Sequence, residues 1–464
     1  MLTKEIFSSL LKTATSAGGD YGDIFLENMT PLVIQMEDDK IEKISTGIER
    51  GIGIRVVYDN KSAYAYTNDL IKDTLIETAY SLSRAVKTNS VHATFNLEKI
   101  RPKTDFIIKQ MPNNTPIADK IKLIREANKT ARALDRRIRQ VSVTYSDFVQ
   151  SVTIANSDGV LVDDERVQSL FAVSVIAEDS GVIQTGYESL GGFTGFELFD
   201  ETPNENPVEA LALKAAKRAI LMLGARRIKG GRMPVVISSE AGGTMIHEAI
   251  GHGLEADLAG QGLSVYSNKL GAQVASPAVT VIDDSTLQGK RGSYRVDDEG
   301  TEAQKNCLVE NGILTAYMYD KLNAIKDGVK SSGNGRRESY RSRPIPRMTN
   351  TFLAPGKADP GEVLRATHDG LFVRKMGGGQ VNTVTGDFVF DVQEGYLIKD
   401  GQITEPVKGA TLCGNGPEVL KSIDMIGSDI GFAIGTCGKD SQGVPVSDAL
   451  PTLRIPDIVV GGEV

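Results

Sequence analysis

A two-part α+β fold is predicted for this chain. An N-terminal α/β domain of antiparallel strands with flanking helices would occupy residues 1–228, and a C-terminal β-rich domain carrying an HExxxH helix would occupy 229–464. Two observations predict it. Glycine is divided unevenly, with 13 of the 48 before residue 230 and 35 from there onward. Helical periodicity is equally uneven, being strong early and sparse late.

In the first part, apolar residues recur at three- and four-residue intervals over 3–17, 70–87, 117–136 and 207–224, which predicts four helices. Between them, 22–28, 32–45 and 50–66 read as strands with turns at Asp-Lys and Asp-Asn, and 139–146, 150–156, 160–163 and 168–177 as further strands. Mostly antiparallel pairing follows. The Arg132, Arg136, Arg137, Arg139 run reads as an exposed helix end. After Gly230, Met233–Ile237 reads as a short buried strand, followed by Ser238 and Ser239 as possible helix N-caps. Beyond the histidine motif, helices are expected only over 315–326, 359–367 and 417–424. Short strands such as 278–283, 370–375, 388–392, 395–398 and 455–460 alternate with Gly-rich turns. The boundary falls within 200–232, and no linker or repeat separates the halves.

At 464 residues with 40% hydrophobic and 24% charged content, the chain is long enough for two or three domains of ordinary globular composition. The net charge of −8 argues against a nucleic-acid binder. No apolar run reaches membrane-spanning length, and the N-terminus lacks the apolar core and cleavage site of a signal peptide. Three cysteines, Cys307, Cys413 and Cys437, are too few for a disulfide framework. A cytoplasmic protein is expected, with each cysteine a buried small hydrophobe or a ligand.

The chemistry concentrates in His247-Glu248-Ala249-Ile250-Gly251-His252, which holds two of the four histidines. Two neutral imidazoles can hold a divalent metal, and a carboxylate beside them can accept a proton from a polarised water. The spacing is not the familiar HExxH. At about 100° per residue, positions i and i+4 lie about 40° apart on a helix and i and i+5 about 140° apart. A regular helix would therefore point His247 and His252 away from each other. Gly251 and Gly253 are where a helix can widen into a π-bulge or end, so irregularity is predicted over 250–253. Met245, Ile250, Leu254 and Leu258 could form the buried side. A helix whose histidines merely satisfy backbone groups is the plainer alternative.

A catalytic site needs a third protein ligand. Glu255 and Asp257, in a regular helix, would rise about 12–15 Å from His247, too far for one ion. His368, in Ala-Thr-His-Asp-Gly, reads as a solvated turn residue. Cys307 suits a structural role. Cys413 and Cys437 both sit in small-residue turns, and spacing alone does not choose between them.

The stretch His247–Asp257 resembles the motif of the TldD/PmbA family of peptidases. So do Asp297-Asp-Glu-Gly-Thr301, Glu310-Asn-Gly312, Pro346-Arg-Met-Thr-Asn350, Gly378-Gly-Gln-Val381 with Thr385-Gly-Asp-Phe388, Cys437-Gly-Lys439 and the early Gly51-Ile-Gly-Ile-Arg-Val56. The similarity spans nearly the whole chain. In that family the catalytic TldD-type subunit keeps HExxxH and the late cysteine, which the PmbA/TldE-type subunit typically lacks. Having both, this sequence resembles the TldD type. The resemblance implies one zinc ion per chain held by His247, His252 and Cys437, with Glu248 as general base. It also implies a dimer enclosing the site, either a homodimer or a heterodimer with a related non-catalytic PmbA/TldE-type subunit. The implied substrate is an unfolded peptide held by strand addition, for which the Gly-rich edge Met376-Gly-Gly-Gly379 is suited. A thiolate ligand would make the ion a weaker Lewis acid and place more demand on Glu248.

The expected function is thus a zinc-dependent metallopeptidase with no nucleic-acid or membrane partner. A non-catalytic peptide-binding subunit with a structural metal is the alternative, and small-molecule amide hydrolysis a third reading. Glu248 between the histidines separates the first two, since a structural site needs no base. The basic run Arg336, Arg337, Arg341, Arg343 and Arg347 is expected to be a solvated or ion-paired loop, with binding of a peptide carboxylate as the alternative.

Overall fold

A computed structural model describes residues 2–86, 95–203 and 205–463. Its first half is built on one eight-stranded sheet. The strands Lys61–Thr67, Glu49–Tyr58, Tyr21–Glu37, Ile138–Asn156 and Val160–Asp179 lie side by side in that order, all antiparallel. Lys40–Thr46 and Val182–Gly192 add as hairpin partners, and the short Glu98–Lys99 closes one edge in parallel.

Helices Lys4–Ala14 and Lys72–Ala85 bury Phe7, Leu10, Leu11, Leu75 and Ala79 against Ile52, Ile54 and Val56. The predicted helix end at Lys87 lies outside the described residues. Helices Ile117–Ala133 and Pro207–Gly224 cover the two longest strands. The second of these starts where Asn206 accepts from the Val208 and Glu209 amides, with proline at its first position. Its alanine face allows close approach. A Cβ on Gly186 of the sheet would meet the Ala215 carbonyl oxygen at 1.9 Å.

The predicted strand pairs 139–146/150–156 and 160–163/168–177 are each one continuous strand. The polar residues that read as breaks are paired. Lys120 of the covering helix reaches Asp147, and Asp164 meets Arg166 and Arg295.

From residue 226 onward the chain forms two further large sheets. In one, Asp369–Val381, Gly231–Ile237, Leu453–Gly461, Thr411–Asn415 and Asp387–Lys399 follow in order, and the first and last also pair, so five strands close on themselves. In the other, Gly431–Lys439 is the edge strand beside Gln442–Leu450, followed by Asn350–Leu353, Val281–Asp284 and Lys305–Glu310. The expected strands 388–392 and 395–398 are one, Asp387–Lys399. Of the helix expected over 315–326, only Lys321–Asp327 is helical, because Asp320 accepts from the Asn323 amide and starts it there. The edge strand Gly431–Lys439 and its neighbour were not predicted, since glycine and small polar residues there resemble turns.

The halves meet through buried charge. Arg55 of the first sheet pairs with Asp23 and with Glu299 of the second half, while Arg337 returns 3.2 Å to Asp23. The early Gly-Ile-Gly-Ile-Arg motif is explained by this junction. A Cβ on Gly51 would lie 2.2 Å from the Tyr340 ring, and one on Gly53 would lie 1.9 Å from the Tyr64 hydroxyl.

Candidate metal centre

The strand Gly231–Ile237 delivers the chain to the site. Ser238 caps only the single turn Ser239–Ala241, through the Glu240 amide, and not the histidine helix itself. Gly242 and Gly243 then pass tightly under the second sheet, where the Gly243 amide donates to Asp448 Oδ1. A Cβ at Gly243 would sit 2.2 Å from the Ala449 nitrogen.

One α-turn, Thr244–Ile246, is followed by a π-turn over His247–Gly251 and a 3₁₀ turn over His252–Leu254. The His252 amide donates to the His247 carbonyl, so an i→i+5 bond joins the two histidines directly. The irregularity demanded by the spacing is present. Its cause differs from the one expected, because Gly251 has an ordinary helical φ of −54°. Glycine is needed there for packing. A Cβ on Gly251 would lie 2.2 Å from Met348 Sδ, and one on Gly253 would lie 2.6 Å from the Tyr266 ring. Met245, Ile250 and Leu254 are buried as predicted, whereas Leu258 is half-buried and lines the cleft.

The widened turn brings the imidazole centroids to 5.0 Å, nearly perpendicular. Cys437, from the edge strand, places Sγ 3.5 Å from His252 Nε2. Single donor atoms of His247, His252 and Cys437 all lie within 4.8 Å of one another. Zinc bonds of about 2.3 Å to sulfur and 2.0–2.1 Å to nitrogen, arranged tetrahedrally, separate S and N by about 3.5 Å. The donor set fits such an ion. Burial pushes the Cys437 thiol up, but the two imidazoles outweigh it and hold the thiol down at about 5. His247 Nδ1 has no hydrogen-bond partner among the described residues, with Asp448 Oδ2 3.9 Å away.

A second layer holds these groups. Glu255, fully buried, lies 2.9 Å from His252 Nδ1 and 3.0 Å from Lys439 Nζ. Burial raises its carboxyl, yet Lys439 and His252 together bring it down to about 2. Lys439 also meets Asp257 at 2.7 Å and the Pro346 carbonyl. Glu255 and Asp257 are thus outside the donor cluster, as expected, but they orient it. The helical rise assumed for them does not apply, because the backbone turns extended at Glu255. The i, i+3 spacing of His252 and Glu255 was the signal that sequence reasoning passed over.

Glu248 is half-buried and lines the same cleft of about 430 Å³, with His247, His252, Gly379, Gln380 and Cys437. Cys413 lies in the strand Thr411–Asn415, outside the cluster. Cys307 is exposed, contrary to the expectation of a buried structural thiol. His368 is solvated and pairs with Asp369 and Asp400.

The basic run divides. Arg341 and Arg343 are exposed and pair with Glu49 and Asp440, as a solvated loop would. Arg336, Arg337 and Arg347 are buried, and Arg347 donates to the Cys437 carbonyl. The arginines at 132, 137 and 139 are paired with Asp38, Asp135 and Glu178.

A partly helical chain of large, mostly antiparallel sheets, with a His-His-Cys cluster beside a glutamate, has the makings of a metalloprotein. Family models place it more narrowly. Residues 22–88 match PmbA/TldA metallopeptidase domain 1, 111–223 the central domain and 230–462 the C-terminal domain. The chain belongs to the PmbA/TldD family. It is 36% identical over 450 residues to a metalloprotease TldD homolog of Buchnera aphidicola, covering 96% of this chain and 93% of that one. A protein of the same name from Haemophilus influenzae is 37% identical over 448 residues, with 96% and 93% covered. A zinc metalloprotease TldD homolog of Saccharolobus solfataricus is 27% identical, with 98% and 99% covered.

Two solved structures share the fold. A Thermotoga maritima protein described as a candidate modulator of a DNA gyrase superposes with a TM-score of 0.79 at 23% identity, covering 95% and 96% of the chains. TldE from Thermococcus kodakarensis gives 0.75 at 17%, covering 96% and 97%. No described helix is long and apolar enough to cross a membrane.

Proposed function

We propose that this chain is a zinc-dependent, TldD-type metallopeptidase that cleaves short or unfolded peptides. His247, His252 and Cys437 would be the protein ligands, leaving one position open. When bound, zinc supplies Lewis acidity toward water and toward the scissile carbonyl. Glu248, beside the histidines and facing the cleft, accepts the proton of the attacking water and passes it to the leaving amine. Glu255 keeps a proton of His252 on Nδ1, so that Nε2, beside Cys437, would be the nitrogen that gives its lone pair to a bound ion. The observation that carries this reading is the convergence of three donors of zinc-type chemistry with an unpaired carboxylate in one cleft.

The surroundings support an extended substrate. Gly377 and Gly378 drop out of register between Met376 and Gly379, so part of that strand is unpaired. On the other side runs the edge strand Gly431–Lys439. Met376–Gly378 and Gly431–Ile434 line a cavity of about 810 Å³, and Gly379–Val381 and Thr436–Lys439 line the metal cleft that follows it. Backbone groups along both strands can pair with an extended peptide, which offsets part of the ordering cost of about 1–2 kcal/mol per residue.

In this reading residues 1–228 serve as dimerisation and channel wall and 229–464 as the catalytic domain. The partner is a TldE-type subunit or a second copy, and the site of action is the cytoplasm. A peptidase assay on the zinc-loaded chain, with and without a co-expressed TldE-type homologue, tests it. Cleavage of a denatured substrate and sparing of its folded form are expected. No cleavage under any pairing would sink the proposal.

A further inference from the structure

Several guanidinium groups in this fold meet carboxylates. Arg55 pairs with Asp23 and Glu299, Arg166 with Asp164 and Asp298, and Arg218 with Glu188 and Glu394. Fully buried Arg347 is held by the Gln442 and Cys437 carbonyls instead, and two further arginines, which share a single cavity, also meet no carboxylate. The guanidinium of Arg291, which is half-buried, donates to the Gly435 carbonyl and to Gln168 Oε1. Arg336, 7% exposed, donates only to the carbonyls of Met348 and Pro445 and lies over the Tyr294 ring. Neither has a carboxylate partner among the described residues.

Both face a cavity of about 240 Å³ between the first sheet and the edge strand. Neither acid on its wall pairs directly with them, and Asp298 acts on Arg336 only through space. Asp298 is engaged by Arg166 and by the Arg337 amide, and Glu338 is exposed and pairs with neither arginine. Burial and the Arg336 charge together bring the Arg291 guanidinium down to about 10, so it remains a cation at neutral pH. A buried cation without a counter-ion is costly, and an oxyanion held by two guanidinium forks removes that cost.

The remaining wall sets the kind of anion. Met29, Phe148 and Phe193 are apolar, which suits an organic carboxylate on a hydrocarbon stem better than a hydrated inorganic ion. Thr436 lines both this cavity and the metal cleft, and it adjoins Cys437. Thr436 therefore makes the cavity and the metal cleft neighbours along the edge strand.

We propose that Arg291 and Arg336 form a carboxylate-binding subsite, filled by an acidic side chain or by the C-terminal carboxylate of a peptide lying in the metal cleft. The choice of ligand rests on the peptidase reading; the anion site itself does not.

The test uses one labelled pentapeptide sequence in four forms, with Glu or Gln at one position and a free or amidated C-terminus. Binding to the metal-free full-length protein is followed by fluorescence anisotropy. One carboxylate-bearing form should bind at least about tenfold tighter than the fully neutral peptide, and which form does so identifies the source. Arg291→Met should erase that preference and Arg291→Lys restore part of it. Wild-type protein supplies a second readout that needs no variant. N-acetylglutamate amide should slow modification of Arg291 by an arginine-selective dicarbonyl, located by mass spectrometry, and N-acetylglutamine amide should not. Equal binding of all four peptides, a preference that survives Arg291→Met, or no protection of Arg291 would each overturn the proposal. Charge-dependent binding without cleavage by the zinc-loaded protein would keep the subsite and reject the peptidase reading. Cleavage with no charge preference would do the reverse.

Discussion

Oε2 of Glu255 lies 2.9 Å from Nδ1 of His252 and 3.0 Å from Nζ of Lys439, so one buried carboxylate ties the second histidine of the motif to the strand that carries Cys437. Two segments 184 positions apart in sequence are thereby held in one geometry. A ligand whose far nitrogen is bonded to a carboxylate is fixed in tautomer and ring orientation. Glu255→Ala should weaken zinc affinity about 10- to 100-fold, measured by competition with a chromophoric chelator. Unchanged affinity would mean that the histidines are ordered without it.

Glu248 makes no side-chain hydrogen bond among the described residues and lines the cleft. Glu248→Gln should leave zinc content intact and lower peptide cleavage by about 10²–10⁴. Activity above about a tenth of wild type would rule out the base role, and loss of zinc would make Glu248 a ligand.

Cys437 should be a thiolate in the metal-free protein at neutral pH, because His247 and His252 hold it down at about 5 against the opposing effect of burial. For a group whose folded pKa lies below its unfolded value of about 8.5, the stabilisation is complete above the unfolded value and fades as pH falls through the folded one. In a Cys307→Ser, Cys413→Ser background, thiolate ultraviolet absorbance should persist at pH 7 and disappear near 5. Cys437→Ser should abolish both that signal and zinc binding, whereas Cys413→Ser alone should leave zinc content unchanged. The opposite pattern would identify the other cysteine.

Gly251→Ala would drive a Cβ to within 2.2 Å of Met348 Sδ, in a site where Met348 is wholly buried. Overpacking of this kind costs about 1–3 kcal/mol, and the displaced segment carries His252. Both a lower denaturation midpoint and weaker zinc binding are expected, and an unaffected zinc affinity would show that the π-turn tolerates the shift.

Arg55→Met should destabilise the protein by about 3–5 kcal/mol, since it leaves Glu299 buried without its cation and Asp23 with Arg337 alone. Denaturant unfolding measures this. A loss below about 1 kcal/mol would place the junction among pairs that break even with apolar packing.

The histidine motif was legible because its chemistry is local. Two imidazoles and a carboxylate within six residues are the composition of a candidate metal site, and the five-residue spacing demands a distorted helix, found as the π-turn His247–Gly251. The four early helices were equally legible, since periodic apolar burial is written along the chain. Strands were less so. Gly431–Lys439 owes its extended form to pairing with Gln442–Leu450, a partner whose glycines and polar residues carry no alternating pattern.

By itself, the sequence determined the α+β class, the four early helices, the histidine pair of the candidate site and, through its resemblance to a family, which cysteine to consider with them. Tertiary structure alone brought Cys437 to 3.5 Å from His252 across 185 positions of chain. It also sent Arg336, Arg337 and Arg347 inward, while their neighbours Arg341 and Arg343 stayed in solvent. The reason is physical. A charged side chain is stable wherever its donors find acceptors, and those acceptors, the carbonyls of Met348, Pro445 and Cys437 and the carboxylate of Asp23, come together only when distant strands pair.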